Sequence, residues 1–209
     1  MEQIFPDLWQ TQAEHPFAGV TSHAYLLTRK DGNVLFYGTG IHDELQHIKD
    51  RGGIVRQYLS HRDEAGPALA DIKQAFGSEL CCHSLEVKAI KTYCSVDVTF
   101  DTHEMQLGNI EIIPTPGHTA GSTCFAYLSP QGKKYLFTGD LIFPEGASWG
   151  TLVRWVAGGR KADLRRSLEL LRDIKPDLVL ASACMGPTPV TMTSEDQWRK
   201  IVDRTIERL

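Results

Sequence analysis

Two short segments constrain this chain more than any other feature: Thr115-Pro116-Gly117-His118-Thr119-Ala120-Gly121-Ser122 and Phe137-Thr138-Gly139-Asp140. Each lies at the end of a β-prone run, Ile110 to Ile113 for the first and Lys134 to Phe137 for the second, and glycines let the backbone turn sharply there. A histidine and an aspartate are thereby mounted on strand-end loops, where a fixed scaffold presents functional groups. Brought to one sheet edge, they offer nitrogen and oxygen donors suited to zinc, iron or manganese. A third contribution is Tyr58-Leu59-Ser60-His61-Arg62-Asp63-Glu64-Ala65-Gly66. There the apolar run Ile54 to Leu59 enters a loop with His61, Asp63 and Glu64 within four positions.

Taken in chain order, the three segments resemble the signature of the metallo-β-lactamase-fold superfamily, H-x-H-x-D-H-A-G followed by a PGHT-type histidine and a GD aspartate. The resemblance runs over nearly the whole chain. Val34-Leu35-Phe36-Tyr37-Gly38-Thr39-Gly40 is similar to the family's early strand and D-T-G turn, with Tyr37 and Gly38 where the D would fall. Val179-Leu180-Ala181 is similar to the strand leading to its last histidine. The fold this implies is α/β, a four-layer αββα sandwich, in one metallo-β-lactamase-like domain over 1–209. Laying Ala65-Gly66 on the family's A-G puts His61 at the second histidine, Asp63 at the aspartate, Glu64 at the third histidine and Leu59 at the first. The last histidine has no counterpart between Ala181 and Pro187, where only Cys184 or Met185 lies near its place. The chain reads as a divergent member with an incomplete signature.

What remains follows coordination chemistry. His61, His118 and Asp140 form a two-histidine, one-carboxylate set that suits non-haem iron(II) and also catalytic zinc. Asp63, Glu64 and a shared Asp140 would make a second, all-oxygen position favouring harder cations such as manganese or magnesium. The expectation is one divalent metal, zinc or iron with manganese admitted, on His61, His118, Asp140 and Asp63, or none. With a metal, hydrolysis of a small ester, thioester or lactam-like substrate by a metal-activated water is the default reaction, Asp63 or Glu64 handling protons. The missing histidines keep open a metal-free, ligand-binding relative. Iron would admit a redox or oxygenase-type enzyme, a chemistry some members of the superfamily perform.

Other residues carry open alternatives. His23 precedes a strand whose start lies near the metal edge in the resembled family, and could supply a missing nitrogen. Arg62 could pair with Asp63 or Glu64, bind an anionic substrate, or face solvent. Cys184 is either a buried small residue or a soft ligand. Phe143, Trp149 and Trp155 either wall a substrate pocket or cap the core.

The 209 residues are 42% hydrophobic, enough to bury a large core without disulfides or a metal. A net charge of −4 and the lack of any Lys/Arg cluster disfavour nucleic acid and leave a small molecule as the expected partner. Five cysteines, an odd number without a C-x-x-C pair, read as reduced thiols. No basic-then-apolar leader and no bilayer-length apolar run is present, so the expected location is cytoplasmic, away from the membrane.

Strand-like runs fall at Ala24 to Thr28, Val34 to Tyr37, Ile54 to Leu59, Glu79 to Cys82, Val96 to Phe100, Ile110 to Ile113, Thr123 to Leu128, Lys134 to Phe137 and Leu178 to Ala181. Asp31-Gly32-Asn33, Leu107-Gly108-Asn109 and Ser129 to Gly132 read as hairpin turns. Leu164, Leu168, Leu171 and Ile174 mark one face of a helix ending before Pro176, and another helix spans Pro67 to Phe76. Ser194 with Gln197 is a capping-box start for a C-terminal helix.

Overall fold

The computed structural model describes residues 1–209, which divide into two compact units, Met1–Phe100 and Asp101–Leu209. In the first, a seven-stranded sheet runs in the order β1 (Glu2–Phe5), β2 (Leu8–Gln10), β4 (Tyr25–Leu27), β5 (Val34–Phe36), β6 (Arg56–Tyr58), β7 (Glu79–His83), β8 (Val98–Phe100). The two-residue strand β3 (Thr21–Ser22) precedes β4 and bridges Ser22 to Glu14. Pairing is antiparallel from β1 to β5 and parallel from β5 to β8. Parallel neighbours need crossover connections, here through α1 (Asp43–Asp50), α2 (Ala68–Phe76) and α3 (Val87–Ile90). Every residue of β4 and β5 is buried, the continuous apolar run expected of central strands covered on both faces. Leu69 and Ile72 turn one face of α2 inward, and Leu69 packs with Leu59, Leu80 and Ile90.

The second unit holds a six-stranded sheet. Its strands are β9 (Glu104–Gln106), β10 (Ile110–Pro114), β11 (Thr123–Leu128), β12 (Lys134–Gly139), β15 (Leu178–Ala181) and β17 (Val190–Met192), neighbours in that order. Only β12 and β15 pair in parallel, joined through α4 (Lys161–Arg172). Before that helix comes a hairpin, β13 (Phe143–Glu145) and β14 (Ser148–Gly150); β16 (Ala183–Cys184) follows β15. Leu164, Leu168 and Leu171 of α4 join Leu136, Val179, Trp198 and Val202 in one buried cluster. Trp198 belongs to α5 (Glu195–Glu207), and its indole N–H donates to the Leu171 carbonyl at 2.8 Å. Both halves of the Ser194/Gln197 capping box form.

The architecture is thus mixed α/β, as the strand and helix periodicities predict, and has two main sheets and five helices. The three turns read as hairpins join β4 to β5, β9 to β10 and β11 to β12, all antiparallel. No helix is long and apolar enough to cross a membrane.

Candidate metal centre

The first unit carries its candidate donors just past β6. Leu59 still donates to the Cys81 carbonyl, after which Ser60 and the buried His61 lead into a single 3-10 turn, Arg62–Glu64. That turn is fastened from outside. The Arg62 guanidinium grips the fully buried Glu86 carboxylate, Nε to Oε2 at 2.5 Å and a terminal nitrogen to Oε1 at 3.1 Å. The Arg62 backbone N–H also donates to Oε2, at 3.1 Å. The Glu86 bond raises the Arg62 pKa above its already high value. Arg62 is therefore committed to a distant buried carboxylate, a partner its sequence neighbours do not suggest. Glu64 is nearly buried. Its carboxylate accepts from the Ser60 N–H at 2.7 Å and from the Ser60 hydroxyl, and lies 3.2 Å from His61 Nδ1. Asp63 is exposed. Arg62→Ala would leave Glu86 charged and buried without its guanidinium partner, so it should cost about 3 kcal/mol in urea unfolding. Replacing both partners with apolar residues should cost much less.

The second unit carries two candidate donors of its own. The loop after β10 is closed by Thr115 N–H to the Ser122 carbonyl at 2.8 Å and Thr119 N–H to Ser122 Oγ at 2.7 Å. Buried His118 lies between them, and its Nδ1 is 2.9 Å from the Leu152 carbonyl. Arg154 N–H returns a bond to the His118 carbonyl at 2.8 Å. Gly117 has φ +156°, and a Cβ there would sit 2.5 Å from Leu164 Cα, so only glycine lets the loop lie against α4. Asp140 follows β12. Ser182, just past the parallel strand β15, donates from Oγ to Asp140 Oδ1 at 2.6 Å and from N to the Gly139 carbonyl at 3.2 Å. The other carboxylate oxygen, Oδ2, lies 4.0 Å from His118 Nε2.

That distance is too long for a hydrogen bond. It suits two donors around one ion, since ligands each about 2.1 Å from a metal lie at most about 4.2 Å apart. The tautomers agree. A backbone carbonyl can only accept, so His118 carries its proton on Nδ1 and presents the lone pair at Nε2. His61 does likewise, with the Glu64 carboxylate and Ser60 Oγ at its Nδ1 side. Metal-ligating histidines use this arrangement, one nitrogen fixed by an acceptor and the other free to coordinate. The donor chemistry therefore fits a divalent ion.

Other expected candidates fall differently. His23 is buried, its Nδ1 2.7 Å from the Thr11 carbonyl, and burial pushes its pKa below the usual imidazole value. Cys184 is a buried thiol donating to the Gly186 carbonyl, and burial raises its pKa, which disfavours the thiolate a metal needs. All five cysteines are free and buried, with Cys81, Cys82 and Cys124 pushed up to about 12 by burial. Trp149 packs edge-on against Trp198 and caps the core, while Trp155 remains 63% exposed. Ser182, Ser60 and the Leu152 carbonyl had no motif to announce them. Ser182 alone had a positional signal, as a polar residue directly after a parallel strand.

The fold is mixed α/β, with histidine and carboxylate donors mounted at strand ends. Residues 95–183 match the family model described as the metallo-beta-lactamase superfamily; the match contains His118 and Asp140 and begins after His61. A metallo-beta-lactamase from Pontibacter korlensis superposes with a TM-score of 0.73 at 22% identity, over 98% of each chain. A protein crystallised in a di-iron-bound form superposes with a TM-score of 0.67 at 23% identity, over 94% of this chain and 98% of that one. A Bacillus subtilis protein described as a probable polyketide biosynthesis zinc-dependent hydrolase is 30% identical over 91 residues, 42% of this chain. The match spans 37% of that relative's length. Residues 95–183 are thus similar to the metallo-beta-lactamase superfamily, and the chain shares the fold of solved metallo-beta-lactamases.

Proposed function

We propose that His61 and Asp63 of the first unit and His118 and Asp140 of the second hold one divalent metal, zinc or iron, in a hydrolase of a small ester, thioester or lactam-like substrate. The observation that carries this reading is the pinning of both imidazoles through Nδ1, which leaves Nε2 on each as the coordinating nitrogen. When bound, a divalent ion with an open position supplies a hydroxide-like nucleophile near neutral pH and polarises a carbonyl oxygen.

The chain's own groups do the rest. Asp63, exposed at the tip of its turn, either completes the ligand set or, where His61, His118 and Asp140 hold the ion without it, accepts a proton from water. Ser182 holds the Asp140 carboxylate in place, and Leu152 and Glu64 hold the imidazole planes. A chain of net charge −4 takes a small molecule in preference to nucleic acid.

Elemental analysis of protein purified without chelators, beside a His118→Ala/Asp140→Ala double variant, tests the assignment. About one metal per wild-type chain and trace metal in the variant is the expected result. Equal trace metal in both overturns it in favour of a metal-free ligand-binding relative. Iron with substrate-dependent oxygen consumption would move the reaction class from hydrolysis to redox chemistry.

A further inference from the structure

We infer that Glu64 is a positioning residue and not a metal ligand: relayed through Ser60, its buried carboxylate locks His61 in the Nδ1–H tautomer. This rests on the metal-binding reading above. In the resembled signature the position of Glu64 is a histidine that serves as a ligand, and an exchange of histidine for glutamate could have kept a ligand there with a different donor atom. The geometry points elsewhere. Oε2 accepts from the Ser60 N–H at 2.7 Å, and Oε1 accepts from the Ser60 hydroxyl while lying 3.2 Å from His61 Nδ1. Both oxygens are thus turned back onto the loop that carries them. The side chain is only 6% exposed, so water does not compete for them.

Ser60 completes the relay. Its single hydroxyl proton goes to Glu64, so its lone pairs face His61 Nδ1, 2.9 Å away. A proton on Nδ1 then has two acceptors within reach and Nε2 keeps its lone pair. The turn has no slack to rearrange: a Cβ at Gly38 would stand 2.7 Å from the Glu64 carbonyl oxygen, and Arg62 is anchored on Glu86. A negative group behind Nδ1 also makes Nε2 a better donor, and losing such a partner typically weakens metal binding 10- to 100-fold.

Glu64→Gln is the direct probe, because its amide offers an N–H donor where the carboxylate has none. Ser60→Ala removes the relay and backs it up should the first variant fail to fold. The tautomer is read by nitrogen-15 NMR of the histidine rings in metal-free protein, at a pH well above the usual imidazole pKa of about 6.5. The zinc dissociation constant is read by competition with a chromophoric chelator, and stoichiometry by native mass spectrometry. Wild type should show His61 protonated on Nδ1. Both variants should shift that signal towards a mixture and bind zinc about 10- to 100-fold more weakly, with the number of ions unchanged. An unchanged tautomer overturns the proposal, as does a fall in the number of bound ions in Glu64→Gln, which would make Glu64 a ligand. Wild-type protein that takes up no zinc, iron or manganese would defeat the hydrolase reading alone, and the metal-free NMR comparison would still decide the tautomer lock.

Discussion

His118→Ala is expected to abolish stoichiometric metal binding and to slow hydrolysis of a simple ester by about 10³-fold or more. A metal's stabilisation of charge in an acyl-transfer transition state is worth several kcal/mol, and about 4 kcal/mol corresponds to a factor of roughly 10³. The substitution removes the nitrogen that the Leu152 carbonyl holds towards Asp140. Loss of a buried ring and one hydrogen bond should also lower stability, by about 2 kcal/mol, against a usual total of about 5–15 kcal/mol, so the variant should remain folded. His103→Ala is the matched control. That ring pairs with Glu111 at the surface, where ion pairs contribute little, so metal content and rate should not change. A His118→Ala protein that folds and hydrolyses ester at the wild-type rate would remove His118 from the chemistry.

The donors legible in the sequence sit on local patterns, and their supports do not. His118 and Asp140 each follow a β-run and carry a glycine beside them, so a short window is enough to find them. Their holding groups come from far along the chain: Ser182 lies 42 residues from Asp140, Leu152 34 from His118, and Glu86 24 from Arg62. No periodicity encodes such pairs. The same division appears in the fold. Leu164, Leu168 and Leu171 announce α4 by their spacing, and all three reach the core. Helix α1 has no such stripe, because Glu44 and Ile48 are its only buried residues and the buried Glu44 reads as surface. The hairpins β1–β2 and β13–β14 use strands of three or four residues, too short for alternation to register, and Pro144 obscures the second. Arg62 misleads for a related reason. Its sequence neighbours are acidic, yet a distant buried carboxylate has the stronger claim on its charge.

Gly159→Ala should be the most damaging single methyl addition to the second unit. A Cβ at this buried glycine would stand 2.2 Å from the His118 carbonyl oxygen and 2.6 Å from that of Gly117, inside any real contact distance. Both obstacles are backbone, so no side chain can swing aside, and the loop carrying His118 must shift as a whole. It cannot shift cheaply. Gly117 already lies against Leu164 of α4, and the His118 carbonyl is bonded to Arg154 N–H. Overpacking of this kind costs about 1–3 kcal/mol and occasionally more; with rigid neighbours on both sides the expected loss is about 3 kcal/mol, measured by chemical denaturation. Because the strain falls on the residue that aims an imidazole, zinc affinity should fall in the part of the protein that remains folded. Gly132→Ala separates this from a general cost of replacing glycine: its Cβ would meet nothing within 4 Å, although its φ of +75° carries a backbone penalty of about 1 kcal/mol. Stability would then drop in both variants and metal affinity only in Gly159→Ala, whereas equal metal affinity in the two would show that the packing of Gly159 does not set the position of His118.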